Sequence, residues 1–431
     1  DHYIVLGDDG FLRFDLDGNP ADIDEIASTS TTLGGGADTI TSSGGDDIVI
    51  GGRFGDTINS GDGKNIVIGD SGQLLSAVVD TVRQLPGQPM TIGLITTRAT
   101  NDGGDDTITT GSGQDIVLAG IASDTVTTGA GNDIVLGDNG LIAYVASANL
   151  LGTFPGTYTG GDNDPADPDL ITVIAPNHGG NDVLRTGAGR DMVIAGTGYD
   201  IVYAGADNDL VFGDHGEVRG DISADLLPLN FAVLPTSLHP FAYTSIFTQG
   251  TDGGGKDLVY GDEVTEAATD GDDILIAGQG IDTVFGGGAN DDLIGGHNVS
   301  GGQDAGDDLD GGTGVDVIAG DNAFVLRTGS AVFDIFRSLN GPTIYDANGV
   351  AQVSPAAQPN PSGALERHIR LLDHSDSASA NTFGGDYIAG GAGDDRIFGQ
   401  MGNDIVQGDG SILSKFIGQP VSAARVADGT L

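Results

Sequence analysis

A repeat of nine residues constrains this chain more than any other feature it has. Residues 101–136 read NDGGDDTIT, TGSGQDIVL, AGIASDTVT and TGAGNDIVL in succession, so Asp106, Asp115, Asp124 and Asp133 recur at a fixed interval. The same interval gives Asp38, Asp47, Asp56 and Asn65 in an earlier block, and Asp182, Asp191, Asp200 and Asp209 in a later one. A fourth block holds Asp257, then Asp273, Asp282 and Asp291, with Asp307 and Asp316 after a short insertion; the last holds Asp386, Asp395 and Asp404. Each nonapeptide has a glycine-rich half ending in aspartate and a half of β-branched or aliphatic residues, as in Gly129-Ala130-Gly131-Asn132-Asp133 followed by Ile134-Val135-Leu136. Glycine permits the positive φ of a tight turn, and the aliphatic triplet suits a short strand. Turn and strand alternating at a fixed period predict a β-solenoid, not a globular sheet.

Composition sharpens the reading. Of 63 acidic residues only Glu25, Glu217, Glu263, Glu266 and Glu366 are glutamate. A chain acidic merely for solubility would mix the two. Aspartate's short carboxylate suits turns and hard-cation sites, so the bias points to metal ligation in loops. The net charge of −47 would repel nucleic acid and anionic membranes, and it opposes a compact fold unless counter-charge is supplied. Cysteine is absent, which removes disulfides and thiolate metal sites. No apolar run reaches membrane-spanning length, and no N-terminal signal peptide is visible.

The nonapeptides resemble the consensus Gly-Gly-x-Gly-x-Asp-x-U-x, with U large and aliphatic, of the RTX family of secreted bacterial proteins. The resemblance covers roughly half the chain directly. It implies an all-β fold, a parallel β-roll in which two nonapeptides make one coil. It further implies Ca2+ between turns stacked on the same side, held by backbone carbonyls and by the aspartates of repeats n and n+2. Carried onto this sequence, the pairs are Asp38 with Asp56, Asp106 with Asp124, Asp115 with Asp133, Asp182 with Asp200, Asp191 with Asp209, Asp273 with Asp291 and Asp386 with Asp404. Asp47 pairs with Asn65, whose neutral side chain makes that site weaker or leaves it to its carbonyls. Asp257, Asp282, Asp307, Asp316 and Asp395 complete the implied ligand set. Calcium suits such a site because it accepts six to eight oxygens at flexible geometry. Without it, stacked carboxylates repel, so the metal-free chain is expected to be largely disordered and calcium binding to be the folding reaction itself.

A longer period is superimposed. The arrays close with variant turns: Gly7-Asp8-Asp9-Gly10, Gly69-Asp70-Ser71-Gly72, Gly137-Asp138-Asn139-Gly140 and Gly213-Asp214-His215-Gly216, with degenerate copies at Gly261-Asp262, Gly320-Asp321-Asn322 and Gly408-Asp409-Gly410. Beyond each, the ligand aspartate is missing, and the metal column is expected to be interrupted there. Asp70, Asp138 and Asp214 are candidate ligands of the final calcium of each array, or plain turn residues. Each closing turn leads into an insertion richer in aromatics and proline, read as a hairpin-like flap that leaves the roll and rejoins it. The chain thus divides into 1–72, 73–140, 141–216, 217–323 and 324–410, each a repeat unit with its flap, and 411–431, the start of another flap or a tail. The stretch Asp162–Asp169 is read as a solvated acidic loop, with an extra cation site as the alternative.

The strands indicate where the flaps go. Alternate nonapeptides carry Ile48-Val49-Ile50, Ile66-Val67-Ile68, Ile116-Val117-Leu118 and Ile134-Val135-Leu136, apolar on both faces of a strand. An exposed sheet of that kind would aggregate. It must be covered by the chain's own flaps or by a neighbouring copy in a fibre or layer. The other strands, Asp-Thr-Ile-Thr and its variants, have one apolar side chain each, facing inward.

No zinc-protease motif, nucleophile elbow or complete phosphate loop occurs, and a lattice of equivalent aspartates is a poor candidate for acid–base catalysis. The chain reads as a non-enzyme. The resemblance implies type I secretion and an extracellular or cell-surface location. Two functions fit: an extender, filament or surface-layer portion of a large secreted protein, or a calcium-triggered secretion and folding module attached to an enzyme or toxin. The chain opens inside one closing turn and stops after another, which favours the first. Ice binding, suggested by the Thr-x-Thr strands, is the weaker reading because the flaps are expected to break those strands up.

Overall fold

The computed structural model describes residues 1–431 except 30–33, 81, 162–163, 221–242, 244, 250–252, 263–269, 328–366 and 413–431. Most of the long insertion before the last array and nearly all of the tail expected at 411–431 therefore lie outside the described residues. The described residues form β-strands joined by turns, with a single short 3-10 turn at Ser147–Asn149.

The nonapeptide triplets build two parallel sheets. One, of 11 strands, runs from Ile4–Leu6 through Ile48–Ile50, Ile66–Ile68, Ile116–Leu118 and Ile134–Leu136 to Arg396–Phe398. The other, of 12 strands, holds the intervening nonapeptides, from Thr39–Thr41 and Thr57–Gly61 to Ile405–Gln407. Side chains alternate across a strand, so the central residue of each triplet points into the roll. Val49, Val67, Val117, Val135, Val193 and Val211 meet Ile58, Ile108, Val126, Leu184 and Val202 from the opposite sheet, all fully buried. The expected β-roll is what the chain forms.

The flaps form a third layer. Their strands pair antiparallel into an 8-stranded sheet that includes Gly72–Ser76, Ile92–Thr97, Gly140–Ala143, Leu170–Val173, Gly216–Arg219 and Ser245–Thr248. The outer residues of the first parallel sheet, Ile48, Ile50, Ile66, Ile68, Ile134 and Leu136, pack in one core with Leu74, Ile95, Ile142, Ile171 and Val218 of this layer. The apolar outer face is thus covered by the same chain. A two-stranded hairpin, Ala323–Arg327 with Arg367–Leu371, contributes Val325 and Leu326 to that core. There the sheet face carries a charge, Asp292, and the hairpin answers it with Arg327 (Nε to Oδ2, 2.7 Å) and Arg367 (Nε to Oδ1, 2.6 Å).

Three expectations need correction. The arrays are not interrupted at the closing turns. Ile66–Ile68 pairs with Ile116–Leu118, and Leu210–Phe212 with Ile274–Ile276, because each insertion leaves from one side of a turn and the next coil stacks where the last one ended. For the same reason the Thr-x-Thr strands are not broken up. Thr39, Thr57, Thr107 and Thr125 form one file, which ends where Val183 follows Thr125. The third correction concerns the acidic loop, where Asp167 and Asp169 are buried, not solvated. Asp169 immediately precedes the strand Leu170–Val173, and its backbone is already paired, its N–H to the Ala143 carbonyl and its carbonyl to the Gly220 N–H.

Candidate metal centre

Two files of aspartates flank the roll, one on each side. In the first, the backbone N–H of Asp38 donates to Asp56 Oδ1 (2.7 Å), that of Asp56 to Asp106 (2.6 Å), Asp106 to Asp124 (2.7 Å), Asp124 to Asp182 (2.8 Å), and Asp182 to Asp200 (2.8 Å). The file continues through Asp257, Asp282, Asp307, Asp386 and Asp404. The second runs Asp47, Asn65, Asp115, Asp133, Asp191, Asp209, Asp273, Asp291, Asp316 and Asp395. The pairs expected within arrays are therefore brought together. Pairs that bridge an insertion, such as Asp56 with Asp106 and Asp133 with Asp191, are equally close and were not anticipated.

From Asp47 and Asp56 onward, each carboxylate thus spends Oδ1 on the backbone of the previous coil. Oδ2 is a different matter. In Asp38, Asp47, Asp56, Asp106, Asp115, Asp124, Asp133, Asp182, Asp191, Asp200 and Asp209 it is buried with no hydrogen-bond partner, and the same holds for Asp257, Asp273, Asp282, Asp291, Asp307, Asp316 and Asp386. Asp395 and Asp404 are part-exposed. A buried carboxylate oxygen without a donor is expensive, and a repeated row of them calls for a cation. The surroundings leave room for one and little else. A methyl group on Gly51 or Gly137 would come within 2.5 Å of Asp56 Oδ2 or Asp182 Oδ2.

Electrostatics agree. Burial first, and neighbouring carboxylates second, push these acids up: Asp106 to about 9, Asp386 to about 8, and Asp124, Asp182, Asp209 and Asp257 well above the usual range. Burial with only partial relief from hydrogen bonds brings Asp115 to about 6 and Asp56, Asp133, Asp200 and Asp316 to about 7. Ionised and metal-free, the files would be held together against their own charge.

Asn65 shows which oxygens surround such a centre. Its Oδ1 takes the Asp47 N–H (3.2 Å) as an aspartate would, but its Nδ2 donates to the carbonyls of Gly61 (3.0 Å) and Gly63 (3.2 Å) and to Asp115 Oδ1 (3.0 Å). Two turn carbonyls and the carboxylate of the next coil thus lie within hydrogen-bond distance of the Asn65 amide nitrogen, and all three are hard oxygen donors of the kind calcium takes.

The closing-turn aspartates have a separate task. Asp70 accepts the Gly104 N–H on Oδ1 (3.1 Å) and the Ile121 N–H on Oδ2 (2.6 Å); Asp138 accepts Gly180 (3.1 Å) and Thr197 (2.5 Å). Asp8, Asp262 and Asp321 repeat the pattern, and Asp214 does so with Gly255 and Gln279. One oxygen holds the residue where the insertion rejoins, the other the turn of the following coil. The insertion is thus spliced into a nonapeptide: Gly69 and Asp70 begin a turn that Gly103, Gly104, Asp105 and Asp106 finish. Gly120, at φ +127°, is the residue of the following turn that lies against Asp70, and a side chain there would collide with it. The regular Gly-Asp beginning and Gly-Gly or Gly-Asp resumption were the available signal for this splice.

The model of the RTX calcium-binding nonapeptide repeat matches residues 32–58, 41–73, 100–135, 185–216, 268–296 and 381–411. No curated protein matches the chain. The matched segments hold most of the aspartates of the two files, and the chain carries RTX calcium-binding nonapeptide repeats.

Proposed function

We propose that this chain is a calcium-stiffened structural segment, an extender, filament or surface-layer portion, of a large secreted protein found outside the cell or on its surface. The observation that carries this reading is the continuity of the two aspartate files from Asp38 to Asp404 and Asp47 to Asp395, across every insertion. With coils about 4.8 Å apart, 11 strands span roughly 50 Å along one axis, cross-linked by an ion at nearly every step. The aspartates named above serve as ligands, whereas Asp70, Asp138 and Asp214 serve as clasps. Asn65 replaces an ion. Because the flaps already cover the apolar sheet, any assembly of copies into a fibre or layer uses another surface. Catalysis has no role in this reading.

A calcium-triggered secretion and folding module is the second reading, favoured by the buried Oδ2 atoms that keep the metal-free chain open. Small-angle scattering with and without calcium tests the structural role. The loaded chain should scatter as a stiff particle of fixed length, and the stripped chain as an expanded coil. A loaded chain as pliable as the stripped one refutes the extender reading and leaves the secretion module.

A further inference from the structure

Outside both files, three carboxylates of the first insertion converge. Asp17, Asp22 and Asp24 each bring an oxygen within 4.8 Å of the other two. They lie on the loop between the strands Gly10–Arg13 and Glu25–Ser28, in the antiparallel layer. Asp24 is buried and accepts the Leu16 N–H on Oδ2 (2.7 Å); Asp17 is exposed and accepts the Asn19 N–H on Oδ1 (2.7 Å). Asp22 is the informative one. Its side chain is 8% exposed, and its Oδ1 is buried with no hydrogen-bond partner.

The second insertion brings Asp80 against the same cluster. Arg83 is the cation beside it, and it is already engaged: it pairs with Asp80, donates to Thr91 Oγ1 at 2.6 Å, and reaches Asp22 Oδ2 only at 3.6 Å. One guanidinium is shared between Asp80 and Asp22. The donor set is oxygen only, without imidazole or thiolate, so its chemistry favours calcium over zinc. We infer that Asp17, Asp22 and Asp24 hold a divalent cation, calcium by ligand type, at the tip where the first and second insertions meet. This centre is separate from the files along the roll. The ion fixes the first insertion's loop and sets its charge against Asp80 across the gap, tying two neighbouring hairpins together at their outer ends.

Terbium in place of calcium makes the centre visible. An anomalous difference map of terbium-loaded crystals should show a peak coordinated by Asp17, Asp22 and Asp24, lost in Asp22→Asn. Peaks along the files with none at this cluster overturn the inference, as does a peak that persists unchanged in Asp22→Asn, which marks an adventitious ion. Equilibrium dialysis supplies a second reading. Asp17→Asn, on the exposed side, should bind one calcium fewer than the wild type, while Asp15→Asn, exposed and outside the cluster, should bind the same number. Equal stoichiometry in Asp17→Asn and wild type refutes the site, and this variant keeps the test open should Asp22→Asn fail to fold.

Discussion

Protons should be able to replace calcium. Consider the chain stripped of metal and desalted. Asp133, Asp200 and Asp316 each have a pKa pushed from the ordinary 3.8 to about 7 in the fold, chiefly by burial. A rise of this size corresponds to about 4 kcal/mol lost per group when the fold must ionise it at neutral pH. Three such groups already approach the roughly 5–15 kcal/mol that stabilises an ordinary domain, and many more line the files. The folded chain binds more protons than the unfolded one, so this contribution is present in full below pH 3.8. It is lost as pH rises through the folded values, from about 6 for Asp115 to about 9 for Asp106. Far-ultraviolet circular dichroism of the stripped chain should therefore show little β-structure at pH 7 and recover it on acidification to pH 3 or so. With saturating calcium the β signal should be strong at neutral pH, since the ion and not the proton then neutralises Oδ2. Equal β content at pH 7 with and without calcium would refute the reasoning. So would a stripped chain that stays unfolded at every pH, because the burial argument requires protonation to relieve it.

Other substitutions probe single elements. Asn65→Asp removes the amide that bridges Gly61, Gly63 and Asp115, and should add one bound calcium by equilibrium dialysis. Ile134→Thr with Leu136→Thr opens the interface under the flap layer and should lower stability of the calcium-loaded chain by about 2–5 kcal/mol, read by calorimetry; unchanged melting with altered assembly would mean that a second copy covers that sheet. Asp138→Ala leaves the Gly180 and Thr197 N–H groups without their acceptor at about 1–3 kcal/mol each, and limited proteolysis should cut first within residues 140–178. Asp292→Asn removes the shared carboxylate of two buried guanidinium groups, Arg327 and Arg367, and should destabilise the loaded fold by about 3–5 kcal/mol, whereas replacing all three by apolar residues should restore most of it.

How much of this was legible in the sequence depends on the range of each interaction. The nonapeptide period is local: the turn residues, the inward valines and the ligand aspartates are all set by position within nine residues. The roll and its files could be read before any coordinates. That the Ile-Val-Leu strands need a cover was also legible, because alternation puts apolar side chains on both faces of a strand. Everything decided by stacking across an insertion escaped. Seen along the chain, Leu74 stands where a ligand aspartate is due, and the column looks broken; in space, Asp106, 50 residues after Asp56, stands there instead, with its Oδ1 on the Asp56 N–H. A closing-turn aspartate looks the same in sequence whether it binds metal or holds a splice, since both tasks need a short carboxylate in a glycine turn. Their partners differ: Asp70 gives both oxygens to backbone N–H groups, whereas Asp106 keeps Oδ2 without a donor, and the proposed division into clasps and ligands rests on that difference. Asn65 differs from its neighbours in the same terms: its Nδ2 donates to the Gly61 and Gly63 carbonyls and to Asp115 Oδ1, where an aspartate would present an oxygen. Where the chain needs charge neutralised it supplies aspartate with an oxygen that no donor reaches, and where it needs only geometry it supplies an acceptor already matched to its donors.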